Sequence, residues 1–504
     1  MQDYGFLSVV PPLLTIFVAI YSRNVVLALI IGILSGSLIL TGFNPFAAIL
    51  NSVEDQVLKE IAAGTQVQVI LAIMIIGGFV NLLEQSGGAR AFASTISRVI
   101  STGAKAQVVA WLSGLAIFFT DSGNALIIGP LYRSVFDQFK LCREKLAYIL
   151  DTTASPISIL IPFIGWGAYI MSLIEASYGE IGLTENAFSV LLNVFPYQFY
   201  AFLALLSVPI VIWTRRDYGP MLRVQKQYLV DLANAKNTST ASESVEANAD
   251  ASDHVAIFLY PLGVMLFMVS SLITWHWMHD GVTGVHIRST LAISYLTASM
   301  TCAIMMRRYK SVPYTESLNI FIKGAEKLVY ISIILVLAWS LNSVTSDLRT
   351  ADYLASVISD TVAPAYFPIV VFVLGALTSL STGSSYGTFA ILMAIAVPVG
   401  FELGASMYLT IAAVLSGGLM GDHASPISDT TVLASVGADC NHLSHVTTQG
   451  AYALLTGAAT ILAYWMAGVY ETPYVLFVAI IVLFISMTLA MRFFGEEIQA
   501  ATGQ

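Results

Sequence analysis

The pentapeptide Ala-Ser-Pro-Ile-Ser occurs at Ala154–Ser158 and again at Ala424–Ser428, each time beside carboxylates. Asp151-Thr152-Thr153 precedes the first copy, Asp422-His423 precedes the second, and Asp429-Thr430-Thr431 follows the second. Proline breaks a helix and frees backbone groups. In lipid such groups must be satisfied by protein, by bound ions or by cavity water, so a polar break in apolar sequence marks a transport path. Hard cations are held by carboxylate, hydroxyl and carbonyl oxygens. On that chemistry Asp151, Asp422 and Asp429 are the expected Na⁺ ligands, and Asp121 is a fourth candidate carboxylate. Ser122, Asn124, Thr152, Thr153, Ser155, Ser158, Ser425, Ser428, Thr430 and Thr431 supply neutral oxygens around them. Each has a structural alternative: hydroxyls back-bond to helix carbonyls, and carboxylates cap helix ends.

A carboxylate withdrawn from water and placed near another holds a proton more readily than one in solution. A proton then competes with a cation for the same oxygens, which is the physical basis of antiport. His423, next to Asp422, is either a proton-sensing group near neutral pH or a structural hydrogen-bond partner. His442 and His445 fall near the expected inner end of their helix, where surface roles are the simpler reading.

The elements that must position these groups are membrane spans. Of the 504 residues 57% are hydrophobic and 11% charged, well below the roughly 25% charged of soluble domains. Stretches near 5–21, 24–41, 66–83, 143–174, 187–213, 255–275, 288–306, 326–342, 404–437, 449–468 and 473–491 read as crossings. Two of them, 143–174 and 404–437, are broken at the pentapeptides. The stretches 106–119 with 125–138, and 366–380 with 386–400, read as re-entrant hairpins of half-length helices. The first turns at Thr120–Asn124. The second turns at the uncharged Ser381–Thr388, whose Thr382, Gly383, Ser384 and Ser385 suit coordination of a cation or a substrate carboxylate.

Lys and Arg in short loops favour the cytoplasm. Arg23, Arg90, Lys105, Arg143, Arg215 and Arg307 accordingly place the N-terminus outside and the C-terminus inside, after 11 crossings. Ala93–Ser97 matches Ala355–Ser359 and Gly64 matches Gly324, in the same order as the pentapeptides. Together with the loop charges this gives two inverted-topology repeats in an all-α polytopic membrane protein. The expected divisions are a first repeat over 1–214, a cytoplasmic hydrophilic linker over 215–253 read as disordered, a second repeat over 254–470, and an extra helix and tail over 471–504. Inverted repeats bring broken helices together near the midplane.

The string Gly421-Asp-His-Ala-Ser-Pro-Ile-Ser-Asp-Thr-Thr-Val432 resembles the signature of the NhaC family of Na⁺/H⁺ antiporters, within the wider ion transporter superfamily. Pro11-Pro-Leu-Leu-Thr-Ile16 and Gly32-Ile-Leu-Ser-Gly36 are similar to it as well, while Ala424 stands where many members have Cys. The resemblance implies Na⁺/H⁺ exchange in an inner membrane by a lipid-embedded homodimer with scaffold and moving transport domains. No cofactor is implied, Na⁺ being the transported or coupling ion. The same signature resembles carriers of a small organic anion or amino acid coupled to Na⁺ or H⁺, which is the alternative function. The three cysteines lack metal spacing, no basic stripe points to nucleic acid, and no hydrolase motif points to an enzyme.

Overall fold

The structure, a computed structural model, describes residues 4–62, 64–97, 100–237, 254–279, 281–359 and 361–497. It is an all-α polytopic membrane protein. Among the described residues nine helices are long and apolar enough to cross a membrane, or ten with the bent pair Ala187–Tyr197 and Phe199–Thr214 taken as one span.

The chain begins with α1 (Val10–Ser22) and α2 (Val25–Leu40). Pro11 and Pro12 sit in the first turn of α1, where a missing N–H costs nothing, and the Asn24 side chain caps α2 by accepting from the Leu27 amide. An irregular helical stretch over 45–62 follows, wound wider than an α-helix at Asn51–Leu58. Next come α3 (Gly64–Gln85), α4 (Gly88–Ser97), α5 (Gly103–Ala116), α6 (Asp121–Gln138) and α7 (Arg143–Thr152). A single turn at Ser155–Ser158 leads to α8 (Gly165–Glu180), α9 (Ala187–Val194) and α10 (Phe199–Thr214). After β1 (Arg216–Tyr218) and α11 (Gly219–Asn237), the chain continues through α12 (Ala256–His279), α13 (Gly284–Lys310) and α14 (Tyr314–Lys327). It then forms α15 (Val329–Asp347), α16 (Thr350–Ile358), α17 (Phe367–Thr382), α18 (Ser385–Glu402), α19 (Met407–Ala424) and α20 (Asp429–Ala438). The last elements are α21 (His442–Tyr470), α22 (Val475–Phe494) and β2 (Gly495–Glu497), which pairs antiparallel with β1.

One order of elements recurs. A long helix, a short helix, a two-helix hairpin and a helix ending at Ala-Ser-Pro-Ile-Ser are α3 to α7 in the first half and α15 to α19 in the second. The caps recur too. Thr120 Oγ1 accepts from the Gly123 amide at 3.0 Å to open α6, and Ser384 Oγ accepts from the Gly387 amide at 3.2 Å to open α18.

Glycines let the hairpins and broken helices pack backbone to backbone. A Cβ on Gly129 of α6 would lie 2.3 Å from the Gly437 carbonyl of α20, and one on Gly421 of α19 would lie 2.2 Å from the Ala376 carbonyl of α17. Arg133 adds to the first crossing. Its Nε donates to Gly437 O at 2.7 Å and its Nη2 to Val436 O at 2.6 Å, capping the C-terminus of α20.

Four sequence expectations need correction. The break near Asp151–Pro156 is longer than read, since regular helix resumes only at Gly165. The arms of the second hairpin, with the short turn before α17, each pass as a span by length and apolarity, so length does not make them half-spans. The linker does not start as disordered chain: α11 occupies Gly219–Asn237, docked by a Lys145–Asp217 ion pair of 2.5 Å and by Gln225 Oε1 accepting from the Cys142 amide. The rest of that linker, 238–253, lies outside the described residues. Finally, α4, α14 and α16 were not read as helices, because amphipathic segments escape a search for apolar runs.

Gly421→Val should lower the stability of the detergent-solubilised protein by about 1–3 kcal/mol or more through overpacking. Gly450→Ala in α21, which faces open space, should leave it unchanged. Thermal melting of the two variants checks this; equal melting temperatures would mean that the glycine crossings do not hold the helices.

Candidate ion site

At the first break, α7 ends in Thr152 and Thr153, and Ala154 leaves the helix with φ −88° and ψ −95°. At the second, α19 ends at Ala424, Ser425 is extended, and α20 restarts at Asp429. The tip of the second hairpin depends on Gly383, whose φ of 65° is left-handed and whose missing Cβ would meet the Ile427 carbonyl at 2.7 Å. That contact fixes the second hairpin tip against the second break.

Both breaks and both tips border one cavity of about 530 Å³. Ten of the residues singled out in the sequence line it: Asp121, Ser122, Ser155, Thr382, Gly383, Ser384, Ser385, Asp422, Asp429 and Thr430. Asp422 is 4% exposed. Its Oδ2 accepts from Ser385 Oγ at 3.0 Å, and its Oδ1 has no hydrogen-bond partner among the described residues. Ser155 Oγ is likewise buried and without a partner. Asp429 stands in the first turn of α20 with Oδ1 accepting from the Thr430 amide at 2.9 Å. Asp121, in the first turn of α6, is held by the Ser122 amide at 2.7 Å, the Ser122 hydroxyl at 3.2 Å and Trp166 Nε1 at 3.1 Å.

Three of the helix N-termini at this cavity differ in charge. Asp121 and Asp429 complement the positive ends of α6 and α20, whereas α18 opens with Ser385 and Tyr386 and no carboxylate of its own. Sequence reasoning missed several wall residues. Glu84 Oε1 accepts from Thr120 Oγ1 at 2.6 Å, and Lys327 Nζ donates to Asn81 Oδ1 at 2.7 Å. Trp166 and Tyr386 pack with ring centroids 4.6 Å apart. The available signal was Asn81 and Glu84, one turn apart at the end of an apolar run. The lining carboxylates are Glu84, Asp121, Asp422 and Asp429, against one ammonium from Lys327.

The other expected ligands do not line the cavity. Three of them donate to carbonyls at the breaks and hairpin tips. Asn124 Nδ2 donates to Gly114 O at 3.0 Å and Thr153 O at 2.7 Å, Ser158 Oγ to Phe118 O at 3.2 Å, and Ser425 Oγ to Leu380 O at 2.8 Å. Thr153 Oγ1 back-bonds to Ile149 O at 2.7 Å, and Ser428 Oγ shares a hydrogen bond with Thr430 Oγ1 at 3.1 Å. His423 lies between Tyr200 Oη, 2.9 Å from Nδ1, and Thr152 Oγ1, 3.2 Å from Nε2.

Asp151, expected as a Na⁺ ligand, sits behind the wall. Its Oδ2 accepts from Thr431 Oγ1 at 2.9 Å and from Gln449 Nε2 at 2.5 Å, with His445 Nε2 at 3.7 Å. His445 is fully buried rather than at the surface, because α21 turns the face bearing His445 and Gln449 toward the breaks. His442 is half-buried, and its Nε2 lies 2.7 Å from the freed carbonyl of Pro426.

Residues 160–469 match the model of a family described as the Na⁺/H⁺ antiporter family. An uncharacterized protein of Haemophilus influenzae is 32% identical over 480 residues, covering 92% of this chain and 90% of its own. A malate-2H⁺/Na⁺-lactate antiporter of Bacillus subtilis is 36% identical over 83 residues, 16% of this chain and 18% of its own. Among solved structures, the YdaH transporter of Alcanivorax borkumensis has a similar fold, with a TM-score of 0.56 at 15% identity over 84% of this chain and 89% of that one.

Asn124→Leu removes the donor to the buried Thr153 carbonyl, and one of two donors to Gly114 O, which also accepts from the Ile117 amide at 3.2 Å; it should cost about 1–3 kcal/mol. The expected result is a melting temperature several degrees below that of the parent protein. An unchanged value would show that the Thr153 carbonyl has another donor.

Proposed function

The chain belongs to the Na⁺/H⁺ antiporter family, and we propose that it exchanges Na⁺ for H⁺ at the cavity between its two helix breaks. The observation that carries this reading is the pair of buried oxygens without donors, Asp422 Oδ1 and Ser155 Oγ, on a wall with four carboxylates and one ammonium. Such a wall attracts a cation and gives it oxygen ligands. Asp422 and Asp429 hold the transported ion, with Ser385 fixing the Asp422 carboxylate. When the cation leaves, protons keep these carboxylates from facing one another charged.

The hairpins and broken helices move as one body in this reading. The observations that support it are the close approach of Gly129 to Gly437, the Asn124 bridge to Thr153 and the Ser425 bond to Leu380. The two halves are taken as inverted repeats with re-entrant hairpins, in a plasma membrane with the N-terminus outside, as the basic loops indicate. Glu84 and Lys327 then lie toward the cytoplasm, so the cavity they border faces inward.

A second reading has a specific observation in its favour. A cavity of about 530 Å³ falls in the range of small-molecule sites, roughly 300–1,000 Å³. Beside it, the N-terminus of α18 lacks its own carboxylate, and a bare cation needs neither feature. A carrier of a small organic anion with Na⁺ or H⁺ uses both.

In proteoliposomes with a trapped pH dye, a Na⁺ pulse should move protons, and Asp422→Asn or Asp429→Asn should abolish the movement while leaving folding intact. Proton movement in both variants equal to the parent's would remove the site assignment. If the parent responds only when an organic acid is added with Na⁺, the second reading replaces the first.

A further inference from the structure

The group on Asp151 remains outside the cation cavity and is not used by the exchange just described. It joins four elements: α7 through Asp151, α20 through Thr431, α21 through His445 and Gln449, and α19 through the His423 carbonyl, which accepts from Gln449 Nε2 at 2.6 Å. Asp151 is 1% exposed and His445 not at all. Asp151 Oδ1, Gln449 Oε1 and both ring nitrogens of His445 have no hydrogen-bond partner among the described residues. Buried polar atoms without partners are uncommon in proteins and call for an explanation.

We propose that Asp151 and His445 form a proton site distinct from the cation cavity, one whose occupancy is set by the cation. This rests on the reading of the chain as a Na⁺/H⁺ exchanger. A carboxylate and an imidazole sharing one proton are net neutral, whether the proton is on Asp151 or on His445. Its departure leaves a single negative charge in a place shielded from water, which is strongly unfavourable without a counter-ion. The counter-ion is at hand. The cavity wall includes Asp422 and Thr430, and their chain neighbours His423 and Thr431 belong to the Asp151 group. A cation in the cavity therefore offsets the charge that the departing proton exposes, and its exit draws the proton back. Binding of the two ions is antagonistic by linkage, and reciprocally so.

The other titratable groups within electrostatic reach of Asp151 are His423 and Asp422 of α19, Asp429 of α20, and Tyr200 of α10. On α7 itself, Lys145 is already paired with Asp217. Asp422 and Asp429 face the cation directly and exchange protons with it whatever Asp151 does. Asp151 adds one proton to that number.

The test counts protons. Purified protein in weakly buffered detergent receives Na⁺, and a pH dye reports the protons released per Na⁺ bound. The parent protein should release protons, and Asp151→Asn should bind Na⁺ but release about one proton fewer. His445→Phe, which takes away the partner of that proton, should move the pH midpoint of Na⁺ binding by about one pH unit or more. Equal release from the parent and Asp151→Asn, or an unmoved midpoint in His445→Phe, would overturn the proposal. So would a folded Asp151→Asn that no longer binds Na⁺, since Asp151 would then belong to the cation's own ligands. If the parent itself releases no protons on binding Na⁺, it is the exchange reading that fails.

Discussion

Breaking a helix inside apolar surroundings frees carbonyls and amides that have no water to turn to, and each costs several kcal/mol if left bare. This chain breaks two helices beside two hairpin tips. Much of its polar inventory answers that constraint. Asn124, Ser158 and Ser425 donate to freed carbonyls, Gln449 and His442 reach carbonyls at the second break, and Arg133 covers the end of α20. The groups left over are the ones that the proposed exchange uses. Asp422 Oδ1 and Ser155 Oγ stay free because the backbone around them is already satisfied by others.

The same breaks require rigidity. A carboxylate selects a cation only if its neighbours hold it at a fixed distance, and here the holders are short contacts between backbones. Gly129 against Gly437 and Gly421 against Ala376 allow approaches that any side chain would prevent. Ser385 ties Asp422 to the second hairpin, and Trp166 ties Asp121 to α8. The cavity is thus framed by elements that are locked to one another. In the proposed exchange an ion entering it meets a preformed wall, and access changes by movement of the frame.

The twin pentapeptide located both breaks from the sequence alone, and the hydroxyl-rich tips were legible for the same reason: polar residues are conspicuous in apolar surroundings. The partners of individual side chains were not legible. Asp151 precedes its pentapeptide by three residues and Asp422 by two, so they are one position out of register; one is surrounded by donors from Thr431 and Gln449 and the other borders the cavity. That offset turns the two carboxylates roughly 100° apart on their helices, and α21 brings Gln449 and His445 to Asp151. His445 was misplaced because that packing is not visible in spacing along the chain. Glu84 and Lys327 went unnoticed because charges at the ends of spans are commonplace, and their meeting at the cavity is a tertiary fact.

The central claim is that a cation sits between the two breaks on Asp422 and Asp429. The most direct measurement is a structure determined with Tl⁺ in place of Na⁺, at high and at low pH, reading the anomalous signal. The account predicts one peak between Asp422 Oδ1 and the Asp429 carboxylate at high pH, and its loss at low pH. A peak beside Asp151, or no peak in the cavity of a preparation that transports Na⁺, would contradict it.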